Sequence, residues 1–181
     1  LAYDFVTRYP SNGSPLLALL YTGAQDSIPD VFEMGDRTAI PQYRVKDKRI
    51  IARDMAPVVR ASWLRGVAAL PNVFAHESFM DELALQAGED PIAFRLRFME
   101  DERPIALTRA VAEKAGWQAR PRPNPAPARA DGLLAGRGFA QHQYVHGAFP
   151  GTGAAWSAWV ADVLVDPATG FVRVTRVTVA H

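Results

Sequence analysis

Between Asn72 and Trp117 the chain carries three helix signals in immediate succession, each with its own start and stop. Asn72 is a good N-cap with Pro71 just ahead of it, and Glu77, Asp81 and Glu82 stand in the N-terminal half, where acids complement the helix dipole. Val73, Phe79, Met80, Leu83, Ala84 and Ala87 recur at a helical period as one apolar face, and Glu77, Asp81, Glu82 and Gln86 fill the other. Gly88 suits the left-handed position that ends a helix. Asp90 then caps a second helix with Pro91 at its first position, where the missing N–H costs nothing. Ile92, Leu96 and Met99 form its buried stripe, with Phe94 and Phe98 beside it. A third signal begins around Pro104, carries Leu107, Ala110, Val111 and Lys114 at helical spacing, and stops at Gly116. Trp117 is placed to fold back as the apolar contact that follows such a stop.

The outer thirds are patterned as strands. Leu1 to Tyr9 alternates around Tyr3 and Phe5, and the continuous apolar run Leu16 to Tyr21 reads as a short strand buried on both faces. Ile28 to Met34 is a short helix at best. Tyr43 to Val45 and Arg49 to Ala52 read as a strand pair around the turn Lys46-Asp47-Lys48. Gly138 to Val145, Ala154 to Val165 and Phe171 to Ala180 follow as strands, the last two joined by the turn Asp166-Pro167-Ala168-Thr169-Gly170. In the last strand the apolar parity shifts from Val172 and Val174 to Val177 and Val179, which predicts a bulge near Thr175 or Arg176.

Strands, then helices, then strands argue for an α+β fold over a repeated βαβ one. The strands of the N- and C-terminal thirds are expected to form a mainly antiparallel or mixed sheet, with the helices of the middle third packed on it. At 181 residues and 49% hydrophobic content the chain suits a single globular domain over residues 1–181. Residues 120–130, with four prolines and three arginines, read as a surface loop.

Composition excludes several functions. A formal net charge of +1 gives no field for nucleic acid or an anionic membrane. Without cysteine the chain forms no disulfide and supplies no thiolate to zinc or to an iron–sulfur cluster. No apolar run reaches the roughly 20 residues of a membrane span. Leu1 opens without initiating methionine or signal-peptide pattern, as expected of a piece of a longer, soluble protein.

Four stretches together resemble a known family. They are Trp63-Leu64-Arg65-Gly66-Val67, the run from Asn72 to Ala84 containing Glu-Ser-Phe-x-Asp-Glu-Leu-Ala, Gly88-Glu89-Asp90-Pro91-Ile92-Ala93-Phe94-Arg95-Leu96, and Ala112-Glu113-Lys114-Ala115-Gly116-Trp117. The family is the molybdopterin-binding subunit of the xanthine oxidase family, in the branch typified by the isoquinoline 1-oxidoreductase β subunit. The resemblance implies a fragment of an enzyme that hydroxylates aldehydes or N-heterocyclic aromatic carbons with water-derived oxygen. It also implies a molybdopterin cofactor, the remainder of the same subunit and an iron–sulfur electron-transfer subunit as partners, and a bacterial cytoplasm or periplasm as setting.

By the same resemblance Arg65, Gly66 and Val67 take the position of a cofactor-facing turn, with Arg65 beside the molybdenum centre. A guanidinium near a helix start supplies donors and positive potential for anionic oxygen, whatever the family. The family's turn is Trp-Arg-Ser-Val-Gly; here Gly66 replaces the serine and Ala68 the glycine, so a positive φ at position 68 would fall on an alanine. The family's glycine-rich cofactor loop and glutamate base lie outside these residues. The piece alone is therefore expected to be inactive and to hold no molybdopterin.

Other candidates are weaker. His142 and His146 share one strand face but lack a third ligand, so no metal site is assigned. His76 and Glu77 read as structural, and Glu100, Asp101 and Glu102 as a solvated acidic helix end. No phosphate-binding glycine loop is present. A non-catalytic α+β binding or assembly module, with Arg65 structural, stands as the alternative.

Overall fold

The computed structural model describes residues 2–11, 17–26, 31, 34–58, 65–121, 129–144 and 155–181. Their contacts gather into two compact units, one of residues 1–41 and 45–76, the other of residues 42–44 and 77–181.

The first unit holds β1 (Ala2–Pro10), α1 (Leu17–Tyr21), β2 (Asp47–Met55) and the start of α2 (Ala69–Ala87). β1 and β2 pair in parallel, from Ala2 opposite Asp47 to Pro10 opposite Met55. Asp4 and Arg49 sit directly opposite and form a two-pronged ion pair, which marks the register from the side chains.

Two expectations fail here. The apolar run ending at Tyr21 is a five-residue helix, not a strand. Thr22 N–H bonds back to Ala18 O at 3.0 Å, Gly23 turns the chain at φ +68°, and only Leu20 among residues 18–21 is buried. Periodicity over so short a run does not separate helix from strand. The hairpin around Lys46 is also absent. Arg49 to Ala52 lies inside β2, whose partner is the distant β1, and Tyr43 to Val45 forms no strand. The short helix expected over residues 28–34 falls almost wholly outside the described residues.

α2 begins at Ala69, one turn earlier than the cap reading of Asn72 predicts. Asn72 is instead buried inside the first turn, where its amide donates to Gly35 O at 3.0 Å and Arg37 O at 2.9 Å. The stop at Gly88 holds: φ is +66°, and Gly88 and Glu89 N–H bond back to Leu85 O and Ala84 O.

The second unit contains α3 (Pro91–Arg97), α4 (Glu102–Ala115), β3 (Leu134–Tyr144), β4 (Ala155–Val165) and β5 (Val172–Ala180). The α3 cap is as expected, and Asp90 does more than cap. One oxygen accepts from Ile92 and Ala93 N–H, both at 2.9 Å, while the other accepts from Trp117 Nε1 and Arg120 N–H, both at 2.9 Å. A single carboxylate thus ties the start of α3 to the exit from α4. That exit has Gly116 at φ +63°, with Gly116 and Trp117 N–H returning to Glu113 O and Ala112 O, and Trp117 folds onto the core as expected. Asp101 is not merely solvated: it caps α4 by accepting from Arg103 N–H.

β3, β4 and β5 form an antiparallel sheet in that order, with α4 against one face. Ile92, Val111, Ala115, Phe139, Ala158 and Val160 are its core. The predicted bulge is at Thr175: Asp162 pairs with Arg176 and Val163 with Val174, and Thr175 Oγ1 donates to Asp162 O at 3.1 Å. The α+β class and the segregation of strands and helices hold. The strands do not join in one sheet, however, since β1 and β2 form a parallel pair of their own.

Candidate functional site

Residues 65–68 form a turn that runs directly into α2. Gly66 has φ +90° and Val67 φ +51°, and Ala69 N–H closes on Gly66 O at 2.7 Å. The left-handed backbone thus falls on residues 66 and 67 and not on Ala68, which is fully buried. Glycine at 66 is suited to its conformation. Valine at 67 is not: a β-branched side chain at positive φ costs about 1 to 3 kcal/mol and persists only where its surroundings impose it. Arg65 is exposed, and no hydrogen bond or ion pair ties it to the described residues. The first turn of α2 holds no acid. A free guanidinium beside the positive end of a 19-residue helix can receive an anion.

The start of α2 is clamped by the segment 34–41. Met34 and Gly35 N–H donate to Asp54 Oδ1 at 3.1 and 2.7 Å, Asn72 holds Gly35 and Arg37 carbonyls, and Thr38 Oγ1 donates to Ala69 O at 3.4 Å. Thr38 is itself at φ +57°. A side chain at Gly35 would meet Tyr9 Cβ at 2.8 Å, so the approach is backbone-close.

His76 completes the clamp. Its Nε2 lies 3.2 Å from Thr38 O and 3.1 Å from Ala39 O, and Tyr3 Oη lies 2.5 Å from Nδ1. Carbonyls only accept, so Nε2 carries the proton and Nδ1 accepts from the tyrosine hydroxyl. This agrees with the structural reading of His76. Burial pushes its pKa below the ordinary value, against the opposing pull of the Ala39 and Thr38 carbonyls, and the charge of Lys48 adds to the lowering. A histidine held neutral in the fold contributes stability above its unfolded pKa of about 6.5, lost as pH falls toward the folded value. Denaturation midpoints should therefore decline from about pH 6.5 toward pH 5. His76→Asn, which cannot protonate, should flatten that slope.

In the second unit a buried polar cluster was not legible as such. Arg95, fully buried, donates from Nε to Glu77 Oε2 at 3.0 Å, from Nη1 to Asp81 Oδ1 at 2.7 Å and Pro91 O at 3.0 Å, and from Nη2 to Glu77 O at 2.7 Å. Glu77 also accepts from Tyr43 Oη at 2.6 Å and Gln141 N–H at 3.0 Å. This agrees with the structural reading of Glu77, although the residue lies on the face of α2 opposite the apolar one predicted from periodicity. Burial raises the Glu77 pKa, opposed chiefly by Arg95, and burial together with the neighbouring carboxylate pushes the Tyr43 phenol well up. Burial alone would lower the Arg95 pKa; Glu77, Tyr43 and Asp81 reverse that and hold it raised. The signal was present in the spacing. Position 95 falls on the Ile92, Leu96 and Met99 stripe, and an arginine on a buried stripe requires a partner.

A surface cleft of about 290 Å³ lies in this unit, lined among others by Asp81, Leu85, Pro91, Trp117, Arg120 and Phe139. Arg120 stacks over Trp117 at 5.0 Å and donates to Arg137 O, so its charge is engaged. Arg65 does not line it. His142 lies half-buried in β3, and His146 falls outside the described residues. Among the described residues no group of three or more histidines, acids or cysteines could hold a metal ion, and no helix is long and apolar enough to cross a membrane.

Together these features define an α+β chain with an exposed arginine turn on a clamped helix and an antiparallel sheet covered by α4. The chain is 58% identical over 180 residues, 99% of its length, to a nicotinate dehydrogenase subunit of Pseudomonas putida. It is 31% identical over 118 residues, 58% of its length, to the β subunit of isoquinoline 1-oxidoreductase of Brevundimonas diminuta. It belongs to the family of these subunits, and it spans 15% of the length of each relative. Neither a family model nor a solved structure matches it.

Proposed function

We propose that the chain is a stretch of the molybdopterin-binding subunit of an oxidoreductase that hydroxylates a carbon of an N-heterocyclic aromatic or an aldehyde with oxygen derived from water, passing electrons to an iron–sulfur subunit. The observation that carries this reading is the 58% identity across 99% of the chain with a subunit named for nicotinate oxidation. The second relative is named for isoquinoline, and both names denote N-heterocycles, which favours that substrate class over aldehydes.

The donor set of this chain fits an anionic cofactor. Arg65 is exposed and free, Gly66 leaves the backbone open, and α2 presents its positive end without a competing acid. When bound, molybdopterin would supply the two-electron redox chemistry. The chain's contribution is to hold Arg65 and the backbone of residues 66 and 67 against anionic oxygen. The clamp of Asn72, Thr38 and His76 keeps the helix start in place.

Purified full-length subunit with its iron–sulfur partner should contain near-stoichiometric molybdenum and oxidise an N-heterocyclic carboxylate with an artificial electron acceptor. Folded, partner-loaded enzyme that lacks molybdenum would reject the reading. The 181-residue stretch alone should hold none. A few charge-assisted hydrogen bonds of about 1.5 to 3 kcal/mol each must offset at least about 4 kcal/mol of lost cofactor freedom.

A further inference from the structure

The sheet β3–β4–β5 is apolar on the side away from its core, and its bulge keeps it so. Toward α4 the paired rows are Phe139 with Val160, Gln141 with Ala158, and Asp162 with Arg176. The opposite face carries Trp159 beside Val179, Ala161 beside Val177, Val163 beside Val174, and Val165 beside Val172. Trp159 is 47% exposed, Val172 53%, Val174 57%, Val177 45% and Val179 41%. A sheet with one solvated face ordinarily turns polar residues to water. On β5 the assignment is inverted: Arg173 and Arg176 share the core-side rows and four valines face out. Without the extra residue at Thr175, a strand carrying this parity shift would turn Val177 and Val179 to the other face. The bulge aligns all four. On β3 the same face is built from Gly136, Gly138 and Ala140, and Gly136 sits close under Val163. His142 beside Ser157 marks its polar end, and no lysine, arginine, aspartate or glutamate belongs to its paired rows among the described residues.

We infer that this face is a docking surface for an apolar element of the same, longer polypeptide. The inference rests on the reading that the chain is part of a subunit like its relatives, in which the matching stretch makes up 15% of the length. A separate subunit that dissociates would leave a continuous uncharged patch in water, whereas a covalently attached segment is held at high effective concentration. The rows of valine, alanine and glycine also give a charged partner nothing to pair with.

The test uses the full-length subunit with its partner. A benzophenone amino acid in place of Trp159, and in a second variant Val174, is activated by light and its attachment point mapped by mass spectrometry. Unmodified protein is footprinted with a carbene reagent in parallel, so that a variant that fails to fold does not decide the matter. Attachment within one polypeptide, to residues outside this 181-residue stretch, with Val172, Val174 and Val177 several-fold less labelled than in the same subunit unfolded in urea, is the expected result. Cross-links to a second copy or to the partner subunit, or labelling equal to that of the unfolded subunit, would overturn it. Molybdenum content, measured on the same samples, separates failure of the docking inference from failure of the proposed function.

Discussion

Arg95→Met should destabilise the fold by about 3 to 5 kcal/mol, the range for removing one partner of a buried ion pair. Arg95 is fully buried and Glu77 nearly so; the arginine's bonds reach Glu77, Asp81 and the Pro91 carbonyl, and its guanidinium lies 5.4 Å from the Phe139 ring centre. The loss comes less from the missing bonds than from Glu77, which would stay buried without its main counter-charge. Its pKa, already raised by burial, would rise further when Arg95 no longer opposes it. A carboxyl with a folded pKa above its unfolded value of about 4.3 loses stability as pH rises through the folded value, so the defect should be larger at pH 8 than at pH 5. Urea denaturation at the two pH values checks both magnitude and sign. Adding Glu77→Leu should recover much of the loss. A single mutant within about 1 kcal/mol of the parent at both pH values would show that the cluster does not support the fold in this way.

Under the proposed function, Arg65→Ala in the full-length protein should lower turnover about a hundredfold or more, the scale seen when an electrostatic donor to developing charge is lost. Stability should change by less than about 0.5 kcal/mol, because the side chain is exposed and unengaged. The contrast with Arg95 is the useful part, since two arginines 30 positions apart are expected to fail in opposite assays. Turnover per molybdenum atom and the denaturation midpoint, taken on the same preparation, decide it. Equal turnover in mutant and parent at equal molybdenum loading would remove Arg65 from the site.

The features legible in the sequence are those whose partners lie within a few residues. Asp90-Pro91, Gly88 and Gly116-Trp117 are determined locally, because a cap or a left-handed stop depends on bonds that span two to five positions. The bulge at Thr175 was readable for the same reason, from a parity change inside one strand. The strain at Val67 was not legible, because φ at a turn answers to the packing around it.

The features that only the tertiary structure decided depend on partners far along the chain. β2 could have closed a local hairpin, but its pairing with β1 matches Arg49 to Asp4 across 45 positions, which no periodicity announces. Asn72 looked like a cap until the loop carbonyls of Gly35 and Arg37 took its amide. Glu77 read as structural, but that Arg95, Tyr43 and Gln141 enclose it was settled only by the fold. A polar side chain carries one local preference and several possible distant partners, and only the folded chain selects among them, since burial leaves no unpaired alternative.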